Sequence, residues 1–218
     1  MTISSIDSLR SLLQEAFAAQ EGAVPDWHVR DPELPGEPSS EDTAKAFLDL
    51  TLRQHWSNFR LWHVEDRARR HDAGSELIAE CKYTIDKLNQ ERNDLIERLD
   101  MFLVRALESV MPPVVEGQRV RHNTETVGVA MDRGSILALK MFHMREQTER
   151  NGVTPDHVAE CQRKLVVLSE QRSDLLASIL DLLDEYAAGT KRPRVYYQFK
   201  MYNDPRLNPE LYSRKAGA

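Results

Sequence analysis

Four segments of this sequence carry polar residues whose types and spacing suit a divalent metal. Two of them have a histidine followed three positions later by an acid, and that spacing places both side chains on one face of a helix. The other two contribute one glutamate each. Helical bundles that hold iron or manganese pairs use two glutamates and two Glu-x-x-His motifs, although here the histidine precedes the acid. The six candidate ligands are His63, Asp66, Glu80, His143, Glu146 and Glu160.

The same residues have a purely structural interpretation. If the helices pair as antiparallel hairpins, counting along them sets His63 level with Glu80 and His143 level with Glu160. A hydrogen bond between each histidine and its glutamate would then fasten each hairpin without any metal. The sequence leaves both interpretations open, and a divalent metal is one possible cofactor.

A second set of polar residues interrupts the apolar seams, the stripes of apolar residues spaced three and four apart along the helices. Arg92 and Arg172 stand in such seams, where a cation must be paired or must reach water. Helix levels predict Asp49 as the partner of Arg92 and Asp132 as the partner of Arg172. Because a core alone does not need these groups, they favour a site for a small anionic ligand or a protein partner. The candidate ligand-binding residues are Arg92, Asp94, Asp132, Arg133 and Arg172.

An enzyme is the competing class of function. The pairs Glu91 with Asp94 and Glu97 with Asp100 could hold magnesium for the hydrolysis of a nucleotide or sugar phosphate. On a helix such pairs are more often a solvated face. The alternatives are therefore a binding module, a metal-dependent hydrolase and a purely structural assembly protein.

Helices must position all of these residues, because no alternating strand pattern persists in the sequence. A short amphipathic helix is predicted over residues 6–19, and a proline-rich linker over 24–40. Ser40 or Asp42 is the expected cap of the first long helix, Ser75 that of the second and Thr154 that of the fourth. The four long helices are predicted near residues 42–70, 75–110, 129–150 and 155–186.

The sequence also repeats itself at an offset of 80 residues. Between residues 61–103 and 141–183, ten of 43 aligned positions are identical, including His63 with His143 and Arg92 with Arg172. A duplicated antiparallel hairpin explains this, and two such hairpins make an all-α four-helix bundle with an approximate twofold axis. The predicted domains are an N-terminal helix and linker over 1–40, the bundle over 41–187 and a tail over 188–218.

Composition and charge narrow the class of protein. The 218 residues carry a formal charge of -6, but residues 191–218 alone carry seven cations and two anions. We expect this basic, aromatic tail to dock on the acidic bundle, and a nucleic-acid partner is disfavoured. No run of 18 apolar residues and no apolar leader occur, which predicts a cytoplasmic protein without a membrane span. A homo-oligomer is compatible with the sequence. The two cysteines, Cys81 and Cys161, are interpreted as small core residues.

Four ordered motifs resemble a bacterial family known as domain of unknown function 4254. Two departures from the family pattern are Val127, where proline is common, and Gly134, where leucine is common. The resemblance implies no established activity; its members are encoded near cell-envelope glycosyltransferases, which implies a link to glycan or nucleotide-sugar metabolism. The motifs are LWHVED at 61–66, LNQERND at 88–94, ETVGVAMDRGSILALKMFHM at 125–144 and QFKMYNDP at 198–205.

Overall fold

The computed structural model describes residues 5–34, 43–117, 119–201 and 204–212. Helices are the regular elements of these ranges, with no strand among the described residues, and the all-α prediction is confirmed. The proposed caps Ser40 and Asp42 lie outside the described residues. The helices are α1 (Ile6–Val29), α2 (Ala44–Ala68), α3 (Ser75–Glu108), α4 (Val127–Glu149), α5 (Pro155–Ala187) and the short α6 (Pro209–Tyr212).

Local capping explains where the long helices begin. The Thr43 hydroxyl accepts a hydrogen bond from the amide of Ala46 at the start of α2, and Thr154 accepts one from His157 at the start of α5. The predicted cap Thr154 is therefore confirmed. Ser75 is the first residue of α3 and not its cap, because Gly74 occupies that position without a side-chain hydrogen bond.

The four long helices form two antiparallel hairpins, α2 with α3 and α4 with α5. Across the interface between the hairpins, His55 Nδ1 lies 2.6 Å from Ser135 Oγ, and the ring centroids of His63 and His143 are 5.7 Å apart. Both pairs are separated by 80 residues in the chain. Helices α2 and α4 therefore run side by side in the same direction, with corresponding positions facing each other. Superposition of the two hairpins by a twofold rotation stays a prediction.

Helix α1 is longer than the sequence indicated, and the predicted linker boundary is wrong. It continues through Pro25 to Val29, across residues assigned to the linker. Pro25 removes one backbone donor, but Val24 is fully buried and Trp27 is 8% exposed against α2 and α4. Burial of these two side chains offsets the lost hydrogen bond. Helix α1 thus packs as a fifth helix against α2, α4 and α5.

Two glycines at the start of α4 permit close contacts. A Cβ on Gly134 would lie 2.8 Å from the Phe17 ring of α1, which explains how α1 approaches α4. A Cβ on Gly128 would lie 2.8 Å from the backbone oxygen of Ile96 and 2.7 Å from Asp100 Oδ1. Real Cβ atoms do not approach a backbone oxygen this closely, so α4 would have to move away from α3.

Replacing Gly128 by alanine should therefore destabilise the protein by about 1–3 kcal/mol through overpacking. The matched control is Gly22→Ala in α1, where a Cβ meets nothing within 4 Å. Alanine there should stabilise the protein by about 0.5–1 kcal/mol, because it removes a helical glycine. Urea denaturation measures both changes. Equal effects of the two substitutions would contradict the close packing of α3 on α4.

The C-terminal tail lies on α3 and on the connector between α3 and α4. Tyr196 donates its hydroxyl to the carbonyl of Asn123 at 2.8 Å, the amide of Gln198 bonds Glu97 at 2.8 Å, and Lys200 Nζ bonds the carbonyl of Asn89 at 3.0 Å. Two of these three contacts use backbone oxygens, and Lys191 adds an ion pair with Glu185 of α5 at 2.6 Å. The aromatic side chains contribute less than expected, because Phe199 is 79% exposed.

The buried carboxyl of Asp100 provides a test of pH dependence. It is 4% exposed and accepts a hydrogen bond from the Gly128 amide at 2.7 Å, and burial raises its pKa to about 6. The protonated Asp100 carboxyl therefore contributes to the free energy of unfolding below the ordinary carboxyl pKa. This contribution is lost as pH rises through about 6, because the buried group then has to ionise.

Asp100→Asn keeps an acceptor for Gly128 but cannot ionise. We expect the difference in unfolding free energy, variant minus wild type, to grow by about 1–3 kcal/mol from pH 4.5 to pH 8. Urea denaturation at the two pH values measures it. A difference that does not change with pH would show that burial does not raise the pKa of Asp100.

Candidate metal centre

Three histidines from three helices meet at one end of the bundle. His28 on α1, His63 on α2 and His143 on α4 each offer a ring nitrogen, and the three nitrogens lie within 4.8 Å of one another. A tetrahedral zinc ion with Zn–N distances of about 2.0–2.1 Å holds its nitrogens about 3.4 Å apart. The widest pair must therefore close by about 1.4 Å to bind one ion. The arrangement is close to that of three protein ligands with an open fourth position.

Hydrogen bonds at one ring nitrogen leave the other ring nitrogen of two of these histidines for a metal ion. His28 Nδ1 lies 2.8 Å from the carbonyl oxygen of Val24, and His143 Nδ1 lies 2.6 Å from a carboxylate oxygen of Glu146. Because both partners only accept, each Nδ1 carries the proton, and each neutral ring has its lone pair at Nε2. Metal-binding histidines are oriented by this kind of outer hydrogen bond. His143 Nε2 is buried and has no hydrogen-bond partner among the described residues.

Aromatic side chains form the walls of this three-histidine cluster. His28 stacks on Phe142 with ring centroids 4.3 Å apart, and Trp62 stacks on His143 at 4.7 Å. Phe59 lies edge-on to His63 at 4.6 Å. Burial lowers the pKa of His63, and the neighbouring His28 and His143 lower it further. These effects favour the neutral imidazole of His63, the protonation state that coordinates metals.

The structure brings only some of the six predicted metal ligands together. His63 and His143 come together, and Glu146 bonds His143 instead of being a separate ligand. Asp66 is exposed beside His63, and it raises the pKa of that histidine against the larger effect of burial. The predicted pairings with Glu80 and Glu160 are wrong. Both glutamates lie on the solvent face, and Glu160 pairs with Lys164 at 2.5 Å, because equal helix level does not imply the same face.

His28 is the residue that the sequence analysis missed. It lies three residues beyond Pro25, in a segment interpreted as linker, so it was not considered as part of a helix. The available signal was the pair Val24 and Trp27, whose three-residue spacing fits the buried side of a continuing helix. His28 follows Trp27 directly and reaches the cluster from the same end of α1.

A buried carboxylate on α4 holds α2, α3 and α4 together, separately from the histidines. Asp132 is 3% exposed and forms a two-point ion pair with Arg92, at 2.5 Å and 2.8 Å. Gln54 and Asn58 donate further hydrogen bonds to Asp132 Oδ1 at 2.5 Å and 2.9 Å. The partner of Arg92 is therefore Asp132 across the hairpins, and not Asp49, which pairs with Lys45.

Next to this network lies a serine–histidine pair that cannot act as a nucleophilic centre. Ser135 Oγ lies 2.6 Å from His55 Nδ1, but both residues are fully buried. Burial lowers the pKa of His55 to about 3, so the ring stays neutral. Trp27 covers the ring with its centroid 4.8 Å away. The pair is part of the packing between α2 and α4.

The predicted anion-binding set does not assemble. Arg172 bonds the carbonyl of Phe17 at 2.5 Å and Glu21 at 3.2 Å, both in α1, so its expected pairing with Asp132 is wrong. Arg133 is exposed and pairs with Glu125 at 3.2 Å. Arg92 is already neutralised by Asp132, and Asp94 accepts a hydrogen bond from Gln90 on the surface.

The acidic pairs proposed for magnesium are also engaged elsewhere. Glu91 lies 3.8 Å from Arg60, Glu97 accepts the hydrogen bond from the tail amide of Gln198, and Asp100 is buried against Gly128. The carboxylates of a pair are thus directed at different partners. These contacts do not favour a magnesium site on α3.

Replacing Arg92 by alanine should leave Asp132 buried without its cation and cost about 3 kcal/mol or more. The matched control is Arg133→Ala, next to Asp132 in the chain, whose exposed pair with Glu125 should contribute less than about 1 kcal/mol. Thermal and urea unfolding measure both. A loss below about 1 kcal/mol for Arg92→Ala would contradict the role of the buried pair.

Comparison with known proteins adds a family but no activity. No curated protein and no solved structure matches the chain. No helix in the described part of the chain is long and apolar enough to cross a membrane. The sequence model of one family, described as a protein of unknown function (DUF4254), matches residues 48–195, from α2 through most of the bundle and into the tail. The chain therefore belongs to the DUF4254 family.

Proposed function

We propose that this chain is a metal-binding protein that holds one divalent transition-metal ion between His28, His63 and His143. The observation that carries the proposal is the convergence of three ring nitrogens within 4.8 Å. Three imidazole ligands suit zinc, copper, nickel or iron better than magnesium or calcium, which prefer oxygen ligands. The expected ion is therefore a transition-metal ion such as zinc.

The surroundings of the three-histidine cluster support coordination over simple packing. Glu146 and the Val24 carbonyl each hold one ring by its Nδ1, so that two rings need little reorganisation to present Nε2. His143 Nε2 is a buried acceptor that lacks a partner among the described residues, and such an atom costs about 1–3 kcal/mol. A bound ion would satisfy it.

Metal-dependent hydrolysis is the second candidate function, and the open position favours it. A zinc ion with three histidine ligands can bind and activate a water molecule in its fourth position. Asp66 and Glu146 are exposed carboxylates at the edge of the cluster, and one of them could accept the proton of that water. This hypothesis depends on the same three histidines and not on the acidic pairs of α3.

Titration of the untagged, metal-free protein with Co²⁺ tests the metal proposal, because tetrahedral cobalt with histidine ligands absorbs in the visible range. We expect about one ion per chain. His28→Gln, His63→Gln and His143→Gln should each weaken binding by at least about 100-fold. Glu146→Gln should weaken it by about tenfold, because a neutral amide oxygen accepts a weaker outer hydrogen bond than a carboxylate does.

The controls separate this centre from the ligand set predicted from the sequence. Glu80→Gln, Glu160→Gln and His71→Gln, all at exposed positions, should bind cobalt like the wild type. Circular dichroism spectra of the variants establish that they are folded. Absence of stoichiometric binding, or binding that survives loss of the three histidines, would overturn the proposal.

A further inference from the structure

A pocket opens between α4 and α5, beside the three-histidine cluster. It has a volume of about 740 Å³, within the range of small-molecule sites. Trp62, Met144 and Leu168 are apolar parts of its wall. Lys140 and Arg163 are cations on its lining. We call this cavity the α4–α5 pocket.

Comparison with the first hairpin shows that the apolar wall of this pocket is covered there. Eighty residues earlier, Val64 and Leu88 stand in place of Met144 and Leu168. Val64 is 7% exposed and Leu88 is 1% exposed, and they pack with Leu61 and Cys81 in a small core. In the second hairpin the same two positions are only half-buried and line the pocket instead. The repeat therefore keeps apolar side chains there but leaves them without a covering partner.

The charges of the two hairpins differ at the same place. In the first hairpin, Arg60 lies 3.8 Å from Glu91 and is neutralised by it. The corresponding residues of the second hairpin are Lys140 and Gln171, so the carboxylate is replaced by a neutral amide. Within the described part of the chain, neither Lys140 nor Arg163 forms an ion pair.

The remaining charges of the lining leave it net positive. Lys164 is the third cation, and its charge is balanced by Glu160 at 2.5 Å. Asp66 is the one acid of the lining. Two unpaired cations beside an apolar wall suit a ligand that carries both a negative headgroup and an apolar body, because each part then meets its complement.

We propose that the α4–α5 pocket binds a small amphipathic organic anion, with its carboxylate, sulfonate or phosphate group at Lys140 and Arg163 and its apolar body against Trp62, Met144 and Leu168. This site replaces the seam arginines as the location of the anionic ligand predicted from the sequence. Although His143 also lines the pocket, binding there does not require the metal ion.

Fluorescence titration with 8-anilinonaphthalene-1-sulfonate, a small aromatic anion, tests the proposal. We expect saturable binding of one molecule per chain. The double variant Lys140→Gln, Arg163→Gln should lower the affinity by about tenfold or more, since each removed cation eliminates a charge-assisted contact. Its affinity for the uncharged analogue N-phenyl-1-naphthylamine should stay the same, because the apolar wall is intact.

A charge-restoring variant provides the sharper test. Gln171→Glu recreates beside Lys140 the carboxylate that Glu91 supplies beside Arg60, and it should lower the affinity for the sulfonate by about tenfold. The control Glu91→Gln removes the carboxylate beside Arg60 in the first hairpin, outside the lining of the α4–α5 pocket, and should leave binding to that pocket unchanged. Cooperative thermal unfolding of each variant excludes dye binding to a loosened core.

Two further outcomes distinguish this site from its alternatives. Binding should persist in the presence of EDTA, so loss of the metal centre and loss of the pocket are separable results. Sedimentation velocity should show the same oligomeric state with and without the dye. Failure of the folded protein to bind the sulfonate, indifference to Gln171→Glu, or a self-associated state that excludes the dye would overturn the proposal.

Discussion

The negative charge of Asp132 is the constraint on which the interior of this bundle depends. A carboxylate that is 3% exposed has lost its hydration, and the loss costs several kcal/mol unless other groups replace the water. Arg92 from α3 and two amides from α2 replace it, so three helices are held at one level. His55 contacts Ser135 at this level. His63 and His143 lie eight residues further along α2 and α4, which is about two helical turns or about 12 Å. The fixed register of α2 and α4 thus brings these two histidines together.

Helix α1 makes the two halves of the bundle unlike each other. The position that corresponds to Asp132 in the first hairpin is Leu52, so Arg172 has no such carboxylate to meet. The guanidinium of Arg172 instead donates to the carbonyl of Phe17 and pairs with Glu21, both in α1. Gly134 leaves room for the Phe17 ring. The same helix delivers His28 to the cluster. One added helix therefore neutralises the second seam arginine and supplies the third candidate ligand.

The sequence alone predicted the helical class and the hairpin turns, because apolar spacing and the 80-residue repeat record helix direction and level. It offered the meeting of His63 with His143 as one of two interpretations, and the structure brings the two rings together. It could not predict the partner of Arg92, since helix level says nothing about rotation around the helix axis. It also placed Glu160 on the wrong face and ended α1 at residue 19, before a proline that the buried neighbours tolerate. The α4–α5 pocket could not be predicted from the sequence. A cavity depends on how side chains of different helices pack, and local sequence patterns do not encode that packing.

Helix α1 is held in place by residues that lie far from it in the chain, and this affects the order in which the protein folds. Each hairpin closes through a short turn, so its contacts are local and form early, whereas Arg10 of α1 pairs with Asp184 across 174 residues of sequence. The entropy of closing so long a loop is recovered only after both hairpins exist. Docking of α1 is therefore the expected late step, and His28 joins the other two histidines only then. An ion that needs all three would bind the finished fold and none of its precursors, and would draw the folding equilibrium toward completion.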